Sequence, residues 1–155
     1  MTRRQINEEE LAILYALIGE AIWNLQLVEN ALSFCITIKR DIKVRGSTPP
    51  NEADALLAKH QASTLGTSLR IAREAQIFPN ALFERLNQFK EERDWLVHRS
   101  VRQNGEDLYL EEKRVAFVAR INAFSNEAGA LQSAIVTKES VEADAQLKIT
   151  KLRGI

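Results

Sequence analysis

One apolar pattern near the N-terminus constrains the fold of this chain more than any other feature. Apolar residues recur there in steps of three and four, the spacing of one face of an α-helix: Leu11, Leu14, Ile18, Ala21, Leu25, Val28, Leu32 and Cys35. Asn7 and Glu10 precede the pattern at the spacing of a capping box, with Asn in place of the usual Ser or Thr. We therefore predict a helix that ends near Lys43, before Gly46, and is roughly 50 Å long at 1.5 Å per residue.

Later apolar patterns predict further helices and no pair of strands. Short helices are predicted over 53–60 and 64–75, and a longer helix begins near Pro79 and ends near Ser100. A last helix is predicted from about Glu111 into the 130s. Its expected apolar face comprises Val115, Val118, Ile121, Phe124 and Ala128.

These helices predict an all-α fold. Three Pro and six Gly are few for 155 residues, which favours long uninterrupted helices. We expect a single domain over residues 1–155, built as an antiparallel bundle of four to five helices with a long first helix. The tail over about 138–155 is polar and is expected to form an extension of this bundle.

Smaller signals predict how the helices are joined and packed. Ser47 or Asn51 is expected to cap the second helix. Gly66, which weakens a helix interior, predicts close packing against the first helix. The pair at 104–105, Asn-Gly, predicts a turn, and the residues at 108–110 alternate weakly, as a short extended piece would.

Charge excludes a general electrostatic attraction to nucleic acid. Twenty-one basic and 21 acidic residues give a formal net charge of zero, so any contact with RNA or DNA needs a local basic patch. The first candidate patch comprises Lys39, Arg40, Lys43 and Arg45, and the second comprises Lys90, Arg93, Arg99 and Arg102. Both patches are equally explained as solvated helix ends, where cations favour the C-terminal end of the helix dipole.

Several classes of site find no support in the sequence. A single cysteine, Cys35, forms no internal disulfide and no cysteine metal cluster. Neither His60 nor His98 has a Glu three residues before it, as a ferritin-like di-iron site requires. No cofactor and no metal are expected. Polar residues interrupt the apolar stretch of the first helix, and the N-terminus turns acidic early, so a cytoplasmic protein without a membrane segment is expected.

The strongest functional signal lies late in the helix predicted from near Pro79 to near Ser100. The stretch reads Arg93-Asp94-Trp95-Leu96-Val97-His98. An Arg can hold a phosphate in a bidentate fork, and a His can move a proton near neutral pH. Arg93 also follows Leu86 and Phe89 on the apolar stripe, and a buried guanidinium is costly unless it has a partner. The pair is thus a candidate for metal-free attack on a phosphodiester.

An Arg-x4-His motif late in a helical chain resembles the HEPN superfamily. Arg93 and His98 carry this resemblance, and Asp94 stands where the family usually has Asn. The resemblance implies a helical domain that is typically dimeric, with the motif facing across the interface. Active relatives are metal-independent endoribonucleases of toxin–antitoxin, phage-defence and RNA-processing systems, whereas other members are inactive binding or regulatory domains.

This resemblance leads to a mechanistic hypothesis. His98 would take the proton from a ribose 2′-OH or protonate the leaving 5′-oxygen, and Arg93 would hold the scissile phosphate. Asp94 would orient His98 or raise its basicity. Lys90, Arg99 and Arg102 would bind flanking RNA: together with the three catalytic candidates they make up the predicted site. Trp95 is expected to pack in the core, and His60, which follows Lys59 on a polar segment, is expected at the surface.

Geometry adds a condition to this hypothesis. In a straight α-helix a five-residue offset separates two side chains by about 140°, so Arg93 and His98 would not face one phosphate. Either the helix ends between them or two chains each supply part of the site, as an isologous homodimer would. RNA and a cognate antitoxin protein are the expected further partners.

Two other functions remain open on the sequence alone. The chain could be a non-catalytic HEPN-like helical dimer that binds RNA or a partner protein through the same groove. Its neutral charge favours this alternative, as does Asp94, whose carboxylate would repel a phosphate unless another group engages it. A third alternative is an antitoxin-like or scaffold bundle without a phosphate site.

Overall fold

The residues that the computed structural model describes, 3–42 and 48–136, form helices joined by short connections. No strand occurs in these two ranges, where Arg3 and Leu110 form an isolated antiparallel bridge. The predicted end of the first helix at Lys43, the basic residue Arg45 and the candidate cap Ser47 lie outside the described residues. So does the C-terminal extension over about 138–155.

Six α-helices, two π-helical turns and one 3₁₀ turn make up the described chain. They are α1 Glu8–Ile36, a first π-turn Thr37–Asp41, α2 Pro50–Gln61, α3 Leu65–Glu74, α4 Asn80–Asp94, a second π-turn Trp95–Arg99, α5 Ser100–Asn104, a 3₁₀ turn Gly105–Tyr109 and α6 Glu111–Ile135. The prediction of an all-helical protein with a long first helix is therefore confirmed.

The N-terminus of α1 is held by the predicted capping box. The side chain of Asn7 accepts a hydrogen bond from the Glu10 N–H at 2.8 Å, and the Glu10 carboxylate accepts one from the Asn7 N–H at 3.2 Å. Arg4 adds two hydrogen bonds to the same carboxylate, at 2.6 and 2.9 Å. These contacts satisfy donors that an uncapped helix would leave without partners. At 1.5 Å per residue α1 is ~43 Å long.

Helix α6 runs parallel to α1 and antiparallel to α4. Arg114, near the start of α6, lies 3.8 Å from Glu10, near the start of α1. At the other end, the Cys35 thiol donates to the Ile135 carbonyl at 3.4 Å. Cys35 is fully buried, so it is a core residue as predicted, and burial raises the pKa of its thiol to about 11.

Contacts between α4 and α6 run in opposite sequence order. Arg85 binds Glu127, the Phe89 ring stacks on Phe124 with centroids 4.5 Å apart, and Glu92 binds Arg120. Each contact lies further along α4 and further back along α6, which defines the antiparallel packing. A continuous apolar core fills the space between α1, α3, α4 and α6.

Some local predictions differ from the structure. Asn51 lies inside α2, since Pro49 occupies the N-cap position. At Gly66 the close neighbour is α4, not α1: a Cβ there would meet Lys90 Cε at 3.0 Å. Residues 104–105 form no isolated turn but join α5 to the 3₁₀ turn.

The first turns of α6 depart from the predicted apolar face. Val115 is exposed, whereas Arg114 and Phe117 are buried. The Arg114 guanidinium donates to the Leu108 carbonyl at 3.1 Å and pairs with Glu111 at 3.1 Å. These partners allow a cation to occupy a position that the pattern assigns to an apolar residue.

Helix α1 is unusually apolar for its burial. By length and composition, Glu8–Asp41 is the described segment long and apolar enough to cross a membrane, although the core helix of a soluble protein meets the same criterion. Only 22% of its most apolar stretch is buried inside the chain. Tyr15 and Trp23 are 63% and 66% exposed on it. Part of α1 therefore presents an apolar face outside the core.

The Glu10 capping contacts predict a pH-dependent stability. Hydrogen bonds from Arg4 and from the Asn7 N–H lower the pKa of Glu10 from its ordinary 4.5 to about 2. The stabilisation is therefore fully present above about pH 4.5 and is lost as the pH falls through about 2. We expect Glu10→Gln to lower the free energy of unfolding by an amount that is constant near neutral pH and shrinks toward zero at pH 2, measured by urea titration. The exposed neighbour variant Glu9→Gln is the control, and an equal loss there would remove this explanation.

Candidate functional site

The Arg-x4-His motif spans the junction between α4 and the second π-turn. Arg93 and Asp94 are the last residues of α4, and His98 is the fourth residue of the π-turn. Hydrogen bonds of a π-turn span five residues instead of four, so each turn holds more residues. The angle between Arg93 and His98 is therefore smaller than in a straight α-helix. No hydrogen bond joins Arg93 to His98 among the described residues, so their action on one phosphate stays a prediction.

The second π-turn is stabilised by buried contacts on both sides. Trp95 and Leu96 are adjacent in sequence and both are buried. The Trp95 indole N–H donates to Asn104 Oδ1 at 2.7 Å, and its ring meets that of Phe117 edge-on at 5.7 Å. Ser100 Oγ donates to the Leu96 carbonyl at 2.8 Å, a group that an α-helix would pair with the Ser100 N–H. Trp95 is thus a packing residue, as predicted.

Arg93 lies at the edge of the core with an incompletely bonded guanidinium. Its side chain is 27% exposed, and Nη1 donates to Asp94 Oδ1 at 3.0 Å. Nε is buried and has no hydrogen-bond partner in the described structure. A buried donor without an acceptor is costly, so this guanidinium can gain from an added anionic ligand.

Asp94 pairs with cations, not with the histidine. Its carboxylate accepts from Lys90 Nζ at 3.1 Å and from Arg93 at 3.0 Å, and no hydrogen bond to His98 is present between these described residues. Burial raises the pKa of Asp94, but the hydrogen bonds from Lys90 and Arg93 outweigh it, and the pKa lies below its usual value. The carboxylate therefore stays ionised at neutral pH and holds two basic side chains in place.

A second carboxyl group, Glu29 on α1, lies near Arg93. Burial raises the pKa of Glu29, and the positive charge of Arg93 opposes this shift. Glu29 was not among the predicted site residues, although it stands out in the sequence as a carboxylate on the core stripe of the first helix. Glu29 and Arg93 are 64 residues apart in the chain, so no local pattern indicates that they lie near each other. The guanidinium therefore faces two acids.

The remaining predicted site residues lie on the outer side of the motif. His98 is exposed. Arg99 Nη2 donates to the Glu91 carbonyl at 3.4 Å, while its buried Nε has no partner within the described ranges. Arg102 is exposed on α5. Two arginines of this segment, Arg93 and Arg99, thus each carry an unpaired Nε–H.

One arginine that the sequence did not single out closes the site from α6. Arg120 makes a bidentate ion pair with Glu92, at 2.6 and 2.9 Å, and its guanidinium carbon lies 3.5 Å from the Trp95 ring centroid. This cation–π contact covers the indole and ties the π-turn to α6. Arg120 is a positioning residue for the motif segment.

The prediction that His60 lies at the surface was wrong. His60 is 2% exposed, and its Nε2 lies 2.5 Å from Asp41 Oδ2 in the first π-turn. Its Nδ1 has no hydrogen-bond partner among the described residues. Helix α2 packs against the first π-turn and buries His60, although its neighbours in the sequence are polar. His60 is therefore a structural residue.

The first basic patch is only partly described. The Lys39 ammonium lies 5.6 Å from the Phe78 ring centroid, and Arg40 pairs with Asp41 at 3.3 Å. Lys43 and Arg45 fall outside the described residues. Within residues 3–42 and 48–136, no group of three or more His, Cys, Asp or Glu side chains could hold a metal ion.

The different burial of the two histidines predicts opposite effects on stability. His60→Ala removes a buried ring and its contact with Asp41, so we expect a loss of about 2–4 kcal/mol in the free energy of unfolding. His98→Ala changes an exposed side chain and should alter it by less than about 0.5 kcal/mol. Urea unfolding followed by circular dichroism measures both. Similar losses in the two variants would contradict the described placement.

The chain was compared with models of protein families, with curated proteins and with solved structures. None of the three comparisons finds a match. An inference about function therefore rests on the residues and contacts of this chain.

Proposed function

We propose that this protein is a HEPN-like, metal-independent endoribonuclease that acts as a homodimer of helical bundles. One observation carries the proposal: a π-turn begins two residues after Arg93 and places His98 at the surface. An exposed proton-transfer group thus follows, five residues along the chain, an arginine whose buried Nε–H has no hydrogen-bond partner among the described residues. π-turns within α-helices occur frequently at functional sites.

The proposed reaction is a transesterification that moves the phosphorus of an RNA phosphodiester from the 5′-oxygen to the neighbouring 2′-oxygen. The 2′-OH loses its proton and attacks phosphorus, the bond from phosphorus to the 5′-oxygen breaks, and the 5′-oxygen takes up a proton. The products are a 2′,3′-cyclic phosphate and a 5′-hydroxyl. His98 serves as base or acid in these proton transfers, because imidazole exchanges protons near neutral pH.

Arg93 is proposed to hold the scissile phosphate. Its Nη1 is bound to Asp94, which leaves Nε and Nη2 as the edge that can meet phosphate oxygens as a bidentate fork. The buried Nε requires a small shift of the side chain toward the surface, and the phosphate then supplies the missing acceptor. Arg93 would stabilise the charge that develops on the phosphate oxygens.

In this proposal Asp94 positions neighbouring cations, whereas the sequence suggested that it orients His98 or raises its basicity. Its contacts with Lys90 and Arg93 support a positioning role for these two cations. The same ionised carboxylate also favours the alternative function, a non-catalytic HEPN-like dimer that binds RNA or a protein, because it opposes phosphate binding. An activity assay shows whether the positioning of Lys90 and Arg93 or the repulsion of the phosphate dominates.

Dimerisation through the motif is supported by apolar residues around His98. Val97, directly before His98, is 42% exposed, and Val101, about one turn after it, is 85% exposed. Isolated exposed valines are common, but two beside a candidate active site fit a surface that a second copy covers. In such an isologous pair, each chain would bring its histidine toward the shared axis. RNA is the proposed substrate, and a cognate antitoxin protein is a further proposed partner.

Cleavage without metal is the direct test of the ribonuclease proposal. Wild-type protein is incubated with structured and single-stranded RNAs in the presence of a chelator, and the ends of the products are analysed. We expect cyclic-phosphate ends, and roughly hundredfold lower rates for His98→Ala and Arg93→Ala, because each removes a group that acts in the transition state. Arg85→Ala removes the same charge from an ion pair elsewhere on α4 and should retain activity. A folded wild type that cleaves none of these RNAs would favour the non-catalytic alternative.

The oligomeric state tests the dimer proposal. Val101→Asp places a charge on the proposed interface without disturbing the core, since Val101 is almost fully exposed in the single chain. We expect wild type at twice the chain mass and Val101→Asp at the chain mass in light scattering after size exclusion. Ala81→Asp, at the exposed start of α4, is the control and should stay dimeric. A monomeric wild type would refute the dimer.

A further inference from the structure

We propose that the groove between α3 and α4 binds the sugar–phosphate backbone of a single-stranded RNA on one side of the scissile phosphate. This proposal rests on the ribonuclease function proposed above and names the path of its substrate. The groove has a volume of about 510 Å³, within the range of ligand sites in proteins. None of its lining residues on α3 was expected from the sequence to contact RNA.

The groove leads directly to the Arg-x4-His motif. Lys90 lines the groove and donates to Asp94 at 3.1 Å, and Asp94 in turn binds Arg93 at 3.0 Å. A chain of charged side chains therefore connects the groove to the proposed phosphate site. We expect the neighbours of a nucleotide held by Arg93 to follow this chain of side chains into the groove.

The charges of the groove suit an anionic backbone. Arg70, Arg73 and Lys90 line it together with one carboxylate, that of Glu91. The groove between α4 and α6 differs, because its Arg85 and Arg120 are bound to Glu127 and Glu92 at 2.6 Å. The groove between α1 and α6 is lined mainly by apolar side chains. In the α3–α4 groove Arg70 and Lys90 are also paired, with Glu74 and Asp94, but Arg73 has no ion pair among the described residues, and Lys90 joins the groove to the motif.

The two arginines of α3 are available to bind phosphate. Arg70 contacts Glu74 at 3.4 Å across an exposed, weak pair, and such pairs exchange readily for a stronger anion. Arg73 lies over the Phe83 ring, with its guanidinium carbon 5.4 Å from the centroid. The described structure gives Arg73 no ion pair. Guanidinium groups prefer the oxygens of phosphate, which they bind in a planar fork.

Small and polar residues also line the groove. Gly66 has no side chain, and a Cβ built there would lie only 3.0 Å from Lys90 Cε, so glycine leaves room for the Lys90 stem. Asn87 and Gln88 add exposed carboxamides, which carry both donors and acceptors. These amides can meet the edges of unstacked bases, which are accessible in single strands and not in an RNA helix.

Binding of a labelled oligonucleotide tests the groove. Fluorescence anisotropy is measured with a short single-stranded oligouridine in the His98→Ala background, where the probe stays intact. We expect Arg70→Ala/Arg73→Ala to weaken binding roughly tenfold, and to reduce the slope of log K against log salt by about 1.4, or ~0.7 for each lost phosphate contact. The control, Arg3→Ala/Arg85→Ala, removes the same charge from two exposed ion pairs elsewhere and should change the affinity by less than about twofold. Thermal unfolding verifies that both double variants are folded.

The outcomes separate this proposal from the ribonuclease proposal. Groove-dependent binding by a protein that cleaves no RNA would retain the groove and refute the ribonuclease. Normal cleavage with an unchanged KM in Arg70→Ala/Arg73→Ala would retain the ribonuclease and refute the groove. Equal weakening of RNA binding in Arg70→Ala/Arg73→Ala and Arg3→Ala/Arg85→Ala would also refute the groove, because affinity would then depend on total charge and not on position. Binding of a labelled acidic peptide instead of RNA, lost in the groove variant, would replace RNA by a protein partner.

Discussion

Burial of Trp95 is the constraint on which the geometry of the candidate site depends. The indole is anchored from three directions: Asn104 accepts from its N–H, Phe117 meets its edge and Arg120 covers its face. A ring held in this way fixes where the chain can continue after α4. The π-turn that follows buries Leu96 as well, and it leaves His98 on the outer side.

The same anchor links the site to the packing of α4 against α6. Arg120 contacts the Trp95 ring and also forms the bidentate pair with Glu92, so one side chain joins the π-turn, α4 and α6. Further along the two helices, the Phe89 and Phe124 rings stack. Motions that separate α4 from α6 would therefore displace the motif. The rigidity of this pair is what a site needs to hold a guanidinium and an imidazole in a fixed relation.

The carboxylates near Arg93 have two opposing effects on the proposed site. Asp94 and Glu29 stabilise the cation at the edge of the core, which explains how a guanidinium occupies a position on an apolar stripe. The same acids compete with a phosphate. Lys90 offsets part of this competition because it binds Asp94 and extends the positive charge into the α3–α4 groove. The proposed RNA path follows the side of the motif on which Lys90 and the two arginines of α3 lie.

Local signals in the sequence determined most of the helices and the cap of the first one. Asn7 and Glu10 lie three residues apart, so their capping box is a property of one turn of chain and was predictable. Periodicity likewise revealed the long first helix and the core position of Cys35. The motif could be named from its residue types, because Arg and His carry their chemistry wherever they lie.

Only the tertiary structure decided the geometry of the site. The π-turn depends on contacts of Trp95 with α5 and α6, which no local pattern encodes. His60 follows a lysine on a polar segment, yet it is buried because α2 folds back onto Asp41. The proximity of Glu29 to Arg93 likewise joins residues far apart in the chain. In each case the deciding free energy comes from partners distant in sequence, whereas periodicity reports only on neighbours within a few turns.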